Sequence, residues 1–243
     1  MSVTFGSRIT IDGSLNAAVA AAPNLPAKYK RQLPVPWSPE RYENAIVSLL
    51  QRLQGSRVGG AVLSQMTRPL TIRPFIWTPA NALAMPLTRL HATEFDRSTH
   101  CSAGQPEVHG TGHGTTVTIW ITPANRRVPD ATLLHEMVHA LRMMRGVLTC
   151  LSYGADFDRE EEYFAILITN IFQSELGRTL MRLNHDSDNW QVVSSPWEEF
   201  RIDPFLLTAF GIQHSDLATE IGRAKKATFN PFNPAYADRV EAR

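Results

Sequence analysis

Of 243 residues only two are cysteine, Cys101 and Cys150, which excludes a scaffold stapled by several disulfides and leaves at most one bridge. Neither is followed two residues later by another Cys or His, so a zinc knuckle is excluded and both read as free thiols. An excess of one charge is also missing. Lys and Arg number 24 against 23 Asp and Glu, a formal net charge of +1. Such a balance builds no broad positive field for gripping phosphates, and no nucleic-acid partner is expected. No apolar run approaches the roughly 18–20 residues of a membrane span, so no membrane insertion is expected. The first residues, MSVTFGSRIT, lack the basic end and apolar centre of a secretory signal peptide. Export by the general secretory route is therefore not expected, and delivery by a dedicated machine is left open. What the chain does have is 43% hydrophobic and 19% charged residues, a composition able to bury an ordinary core in one large domain or two small ones.

Residues 4–11 read as a first strand, with Ile9 and Ile11 on one face. From Asn16 to Val35 the chain is dominated by Ala and Pro, which reads as an arm. Ser38-Pro39-Glu40 opens a helix that Ile46, Leu49, Leu50 and Leu53 continue at helical spacing until Gly55. Leu70–Trp77 is β-rich, and residues 92–114 form an irregular polar loop, including a His109–His113 cluster. Thr115–Thr122, TTVTIWIT, is the clearest strand, placed to run along a cleft as its edge. Helices follow over 130–145 and about 158–176, the latter apolar on nearly all sides and hence buried. Two shorter helices are expected at 203–210 and 214–226. The order suggests an α+β domain over 38–228, an N-terminal strand and arm over 1–37, and a tail over 229–243.

Within the 130–145 helix stands His135-Glu136-Met137-Val138-His139, an HExxH sequence. Histidines four apart lie one turn above each other, so both imidazoles can reach one ion. The Glu beside the first His then sits where it can take a proton from water on that ion. Neutral imidazole suits Zn²⁺, and a catalytic zinc site needs a third protein ligand and an open position. A metzincin would have Gly at 142 and His at 145, but the chain has Arg142 and Arg145. The ligand must come from elsewhere. Three acids, Glu160-Glu161-Glu162, enter the next buried helix, and charged residues are seldom buried unless paired or metal-bound. Glu162-Tyr163-Phe164-Ala165 resembles the Glu-x-x-Ala pattern by which many gluzincins supply a third ligand. Glu162 is the first candidate and Glu161 the second. Glu136 is the expected general base, with His185, Arg182 and Tyr153 as candidates to stabilise a developing oxyanion.

Taken in order, SLLQRLQGSRVGGAVL, GTGHGTTVTIWITP, LLHEMVHALRMMRG, EEEYFAILITNIFQSELGR and LMRLNHD resemble the NleD-like zinc metallopeptidases, effectors injected into host cells by type III secretion systems. Related domains end bacterial polymorphic toxins. The resemblance covers roughly residues 40–190. It implies a zincin-like α+β fold with a small mixed or antiparallel sheet, an HExxH helix and a second buried helix giving the third ligand. It further implies one Zn²⁺ and a protein substrate, which in characterised relatives is a host MAP kinase cut in its activation loop. A secretion apparatus or chaperone is a further expected partner, with delivery into the cytoplasm of a target cell. The rival expectations are a metallopeptidase toxin aimed at competing bacteria and a non-catalytic interaction module held together by zinc. An intact Glu136 argues against the second, since a structural site has no use for a general base.

Overall fold

In the computed structural model, which describes residues 2–14, 37–74, 82–86, 114–123, 127–149, 151, 153–157, 159–185 and 190–241, the chain starts with strands β1 (Val3–Phe5) and β2 (Ile9–Ile11). Gly6, at φ +60°, makes the tight turn between them. The Ala/Pro-rich arm at 16–35, the His109–His113 cluster, Cys101 and Cys150 lie outside the described residues.

Two helices come next. In α1 (Pro39–Gln54) the Ser38 side chain caps the start by accepting from the Arg41 N–H, and proline occupies the first turn. The helix ends at Gly55, where the sequence predicts its end, and the chain turns at Gly55-Ser56. Ser56 then caps α2 (Arg57–Ser64) by accepting from the Gly59 N–H. The break lets α2 fold back on α1, and a Cβ at Gly59 would lie 2.5 Å from the Leu53 carbonyl oxygen. Only glycine permits that approach.

Strands β3 (Leu70–Arg73), β4 (Ala82–Pro86) and β5 (Val117–Ile121) complete a five-stranded mixed sheet in the order β1-β2-β3-β5-β4. β2, β3 and β5 are parallel, while β1 and β4 run antiparallel at the two edges. The register aligns Ile9, Leu70 and Val117, and likewise Ile11, Ile72 and Ile119, so period-two alternation gives one continuous apolar face. Ile46, Leu49, Leu50 and Leu53 of α1 share the core with that face, and the Tyr42 hydroxyl donates to the Ile121 carbonyl. The expectation that 115–122 forms the cleft edge is corrected. β5 lies inside the sheet, and the edge is β4, with Ala84 opposite Ile119. All five residues of β5 are buried, which suits a strand covered on both faces and not one with a side open to water.

The two helices that matter most come next in the core: α3 (Pro129–Arg145), then, after the short α4 (Gly154–Phe157), α5 (Glu160–Glu175). Each is closed by a left-handed glycine, Gly146 at φ +67° and Gly177 at φ +68°. α5 is buried from Tyr163 to Ser174, in agreement with its apolar sequence. A hairpin of β6 (Leu180–Arg182) and β7 (Trp190–Val192) follows, then α6 (Pro196–Glu199), α7 (Pro204–Gln213), α8 (Ser215–Gly222), a 3₁₀ turn at Pro234–Tyr236 and α9 (Ala237–Glu241). Phe229, within the segment read as a tail, is fully buried against Phe200 and Trp197. Among the described residues no helix is long and apolar enough to cross a membrane.

Candidate metal centre

α3 and α5 run antiparallel, because Arg142 near the end of α3 meets Glu161 at the start of α5 while Asp130 in the first turn of α3 meets Arg178 just beyond α5. This brings the HExxH face of α3 against the acidic first turn of α5. His135 and His139 lie one turn apart with their Nε2 atoms 3.2 Å from each other. Glu162 Oε2 lies 3.2 Å from His135 Nε2 and 3.5 Å from His139 Nε2. His135, His139 and Glu162 are thus a group that can hold a metal ion, with both imidazoles buried and the carboxylate half-buried.

The carboxylate oxygen is the most informative atom. Glu162 Oε2 is out of reach of water and is ringed by imidazole nitrogens 3.1–3.5 Å away, none of which, among the described residues, is aligned to donate to it. Leaving such an acceptor unsatisfied is costly unless a cation completes it. The electrostatics agree. Burial pushes His135 down to about 3, against the pull of Glu162 and with the help of neighbouring His139 and Arg182. His139 is equally buried, but the carboxylates of Glu162, Glu161 and Glu136 outweigh that penalty and hold it up to about 10. Glu162 itself stays well below the usual carboxylate range because its own burial is outweighed by the two histidines. Three carboxylates around two imidazoles make a field that retains one positive charge.

The structure separates the two acids left open by the sequence. Glu162 joins the histidines, whereas Glu161 turns to Arg142, whose Nε lies 2.8 and 2.9 Å from its two oxygens, and also accepts from the Thr149 N–H at 2.7 Å. As an alternative third ligand Glu161 is therefore corrected. Consecutive helical residues point about 100° apart, and only one can face the imidazoles. Glu161 Oε2 instead stands behind His139, 3.8 Å from Nδ1. Glu136 is buried, and close enough to His139 for its charge to be felt there.

Among the other candidates, His185 arrives at the site. Its Nε2 is 3.1 Å from Glu162 Oε2, and its side chain keeps 35% exposure. Buried polar residues of α5 place it there. Asn170 donates to the Arg182 carbonyl and accepts from the Arg182 N–H, Gln173 donates to the Leu180 carbonyl, and the His185 N–H donates to Asp156. Arg182 is near enough for its charge to disfavour protonation of His135. Tyr153 is tied elsewhere. Its hydroxyl donates to Asp203 at 2.5 Å, its ring packs on Phe157 and Tyr163, and burial with the Asp203 charge pushes its hydroxyl up.

The residue that motif reading missed is Arg142, only 1% exposed. In the sequence it stands out only as a departure from the metzincin glycine. The signal was in the spacing, since 135, 139 and 142 fall at i, i+4 and i+7 on one helix face. Comparison with protein-family models and with curated proteins finds no match for this chain.

Proposed function

We propose that this chain is a zinc-dependent endopeptidase, with His135, His139 and Glu162 as ligands and Glu136 as general base. The observation that carries the reading is the spacing of the three donor atoms. Zinc with bonds of about 2.0–2.1 Å in tetrahedral geometry holds its ligand atoms about 3.3 Å apart. Here the three separations are 3.2, 3.2 and 3.5 Å. Two imidazoles and one carboxylate leave a fourth position for water, the composition of catalytic rather than structural zinc.

Bound there, zinc would lower the pKa of a water toward about 7 and polarise a scissile carbonyl. Glu136, the residue after His135, would serve as the base that takes up a proton from water and would return it to the leaving amine nitrogen. His185, half-exposed beside Glu162, donates to the oxygen on which negative charge develops. Arg182 adds positive charge on the same side, held by Asn170.

The resemblance to NleD-like metallopeptidases supports a protein of a host cell as substrate, possible MAP kinases included, and delivery as an effector or toxin without a Sec signal peptide. The test compares new protein N-termini in host-cell lysate treated with zinc-loaded wild type or Glu136→Ala protein. Termini that require Glu136 are expected. Their absence from a folded, zinc-loaded sample, in host and bacterial lysates alike, overturns the peptidase reading.

A further inference from the structure

Each of the three guanidinium nitrogens of Arg142 meets a polar partner inside the protein. Nε meets both oxygens of Glu161, and one terminal nitrogen meets Glu161 Oε1 at 2.8 Å and the Val147 carbonyl at 2.8 Å. The other terminal nitrogen meets Gln213 Oε1 at 3.0 Å and His214 Nε2 at 2.8 Å. The Phe164 ring covers its face at 4.5 Å. Glu161, only 3% exposed, is thereby fixed in one orientation, with its remaining reach directed at Nδ1 of His139.

From this geometry we infer that Glu161 is a positioning residue for the metal ligand His139, and that Arg142 relays the junction of α7 and α8 to it. The inference rests on the proposed zinc site. At 3.8 Å from Nδ1 the carboxylate acts by its charge and not by a hydrogen bond, favouring the imidazole proton on that nitrogen and the Nε2 lone pair toward Glu162 and the ion. His135 shows no such support among the described residues, where its buried Nδ1 has no hydrogen-bond partner. Of the two histidines, His139 is the one whose ring is oriented by charge, and the group that orients it is held by residues 213 and 214, far along the chain. The same network gives His214 its place, since its other ring nitrogen meets Arg145 at 2.8 Å.

The test uses the full chain with zinc alone as the probe, its affinity measured by competition with a chromophoric chelator. Glu161→Gln removes the charge, and Glu161→Asp keeps charge and Arg142 partner while withdrawing the carboxylate from His139 by one methylene. Arg178→Met, which breaks the ion pair at the opposite end of the same helices, is the control for loss of stability alone. Folded Glu161 variants are expected to bind zinc roughly 10–100-fold more weakly. They should also shift the visible absorption bands of the Co²⁺-substituted protein, while folded Arg178→Met does neither. If Glu161→Gln does not fold, Glu161→Asp carries the comparison. Wild-type affinity and an unchanged Co²⁺ spectrum in either folded Glu161 variant overturn the inference and leave the zinc site standing. A wild type that binds no zinc overturns both.

Discussion

Arg178 grips Asp130 with both terminal guanidinium nitrogens, 2.9 and 2.8 Å from the two carboxylate oxygens, across the end of the helix pair farthest from Arg142 and Glu161. The two helices are thus joined by an ion pair at each end, with His135, His139 and Glu162 between. Register between α3 and α5 decides whether Glu162 reaches the imidazoles. A slip of one residue would rotate it away by about 100°.

Breaking the far ion pair tests its contribution to stability and the pH dependence of that contribution; the register itself is held by the apolar residues that both helices bury in the core. Arg178→Met leaves the Asp130 carboxylate, 3% exposed, without its cation. The expected loss is about 3 kcal/mol, the low end for a buried pair because Arg178 is partly exposed. Burial alone would raise Asp130, but hydrogen bonds and charge from Arg178 bring it below its ordinary value. A folded-state pKa below the unfolded one means the contribution is complete above about 4 and is lost as pH falls through the folded value. In Arg178→Met the burial penalty on Asp130 is no longer offset, its folded-state pKa is raised, and the variant regains stability as that acid takes up a proton above about pH 4. Urea unfolding from pH 7 to 3 is therefore expected to show the wild-type advantage shrinking already above about pH 4 and further below it.

Zinc removal is expected to lower thermal stability. At free zinc of 100 times Kd, binding adds about 2.7 kcal/mol to the folded state. For a chain of this size that corresponds to a fall of roughly 5–10 °C in Tm on chelation. Scanning calorimetry with and without chelator measures it, and Glu162→Ala protein should show no difference.

Glu136→Gln separates chemistry from binding. It removes the base without touching a ligand, so kcat for peptide cleavage should fall about 10²–10⁴-fold. Zinc content by elemental analysis should be that of wild type. Loss of zinc as well would make Glu136 a ligand, contrary to its assigned role.

His185→Ala should lower kcat about 10²-fold with little change in KM, the pattern of a donor used mainly in the transition state. An unaltered kcat would exclude it from oxyanion stabilisation.

Gly114→Ala should destabilise the fold without any contact to the site. A Cβ there would lie 1.6 Å from the Met144 carbonyl oxygen, with backbone on both sides of the clash. The expected cost is at or above the upper end of the ~1–3 kcal/mol usual for overpacking. Chemical denaturation of the variant measures it.

Local chemistry made much of the architecture legible. Ser38-Pro39 starts α1, Gly146 and Gly177 end α3 and α5, and the apolar run AILITNIF becomes a helix buried on all sides, because caps and helical periods act over a few residues. The edge of the sheet was not legible in the same way. Strand order depends on pairing between distant segments, and β5 and β4 differ in which neighbours they find rather than in any local pattern.

The site divides along the same line. By itself the sequence determined that two imidazoles share one face of a helix, since His135 and His139 stand one turn apart, with the Glu136 carboxylate beside that face. It brought Glu161 and Glu162 forward together, as neighbouring acids entering a buried helix, and could not separate them. Only the packing of α3 against α5 did so. The rotation of α5 turns Glu162 to the histidines, and the desolvated guanidinium of Arg142 takes Glu161 because a buried charge must find its counterpart.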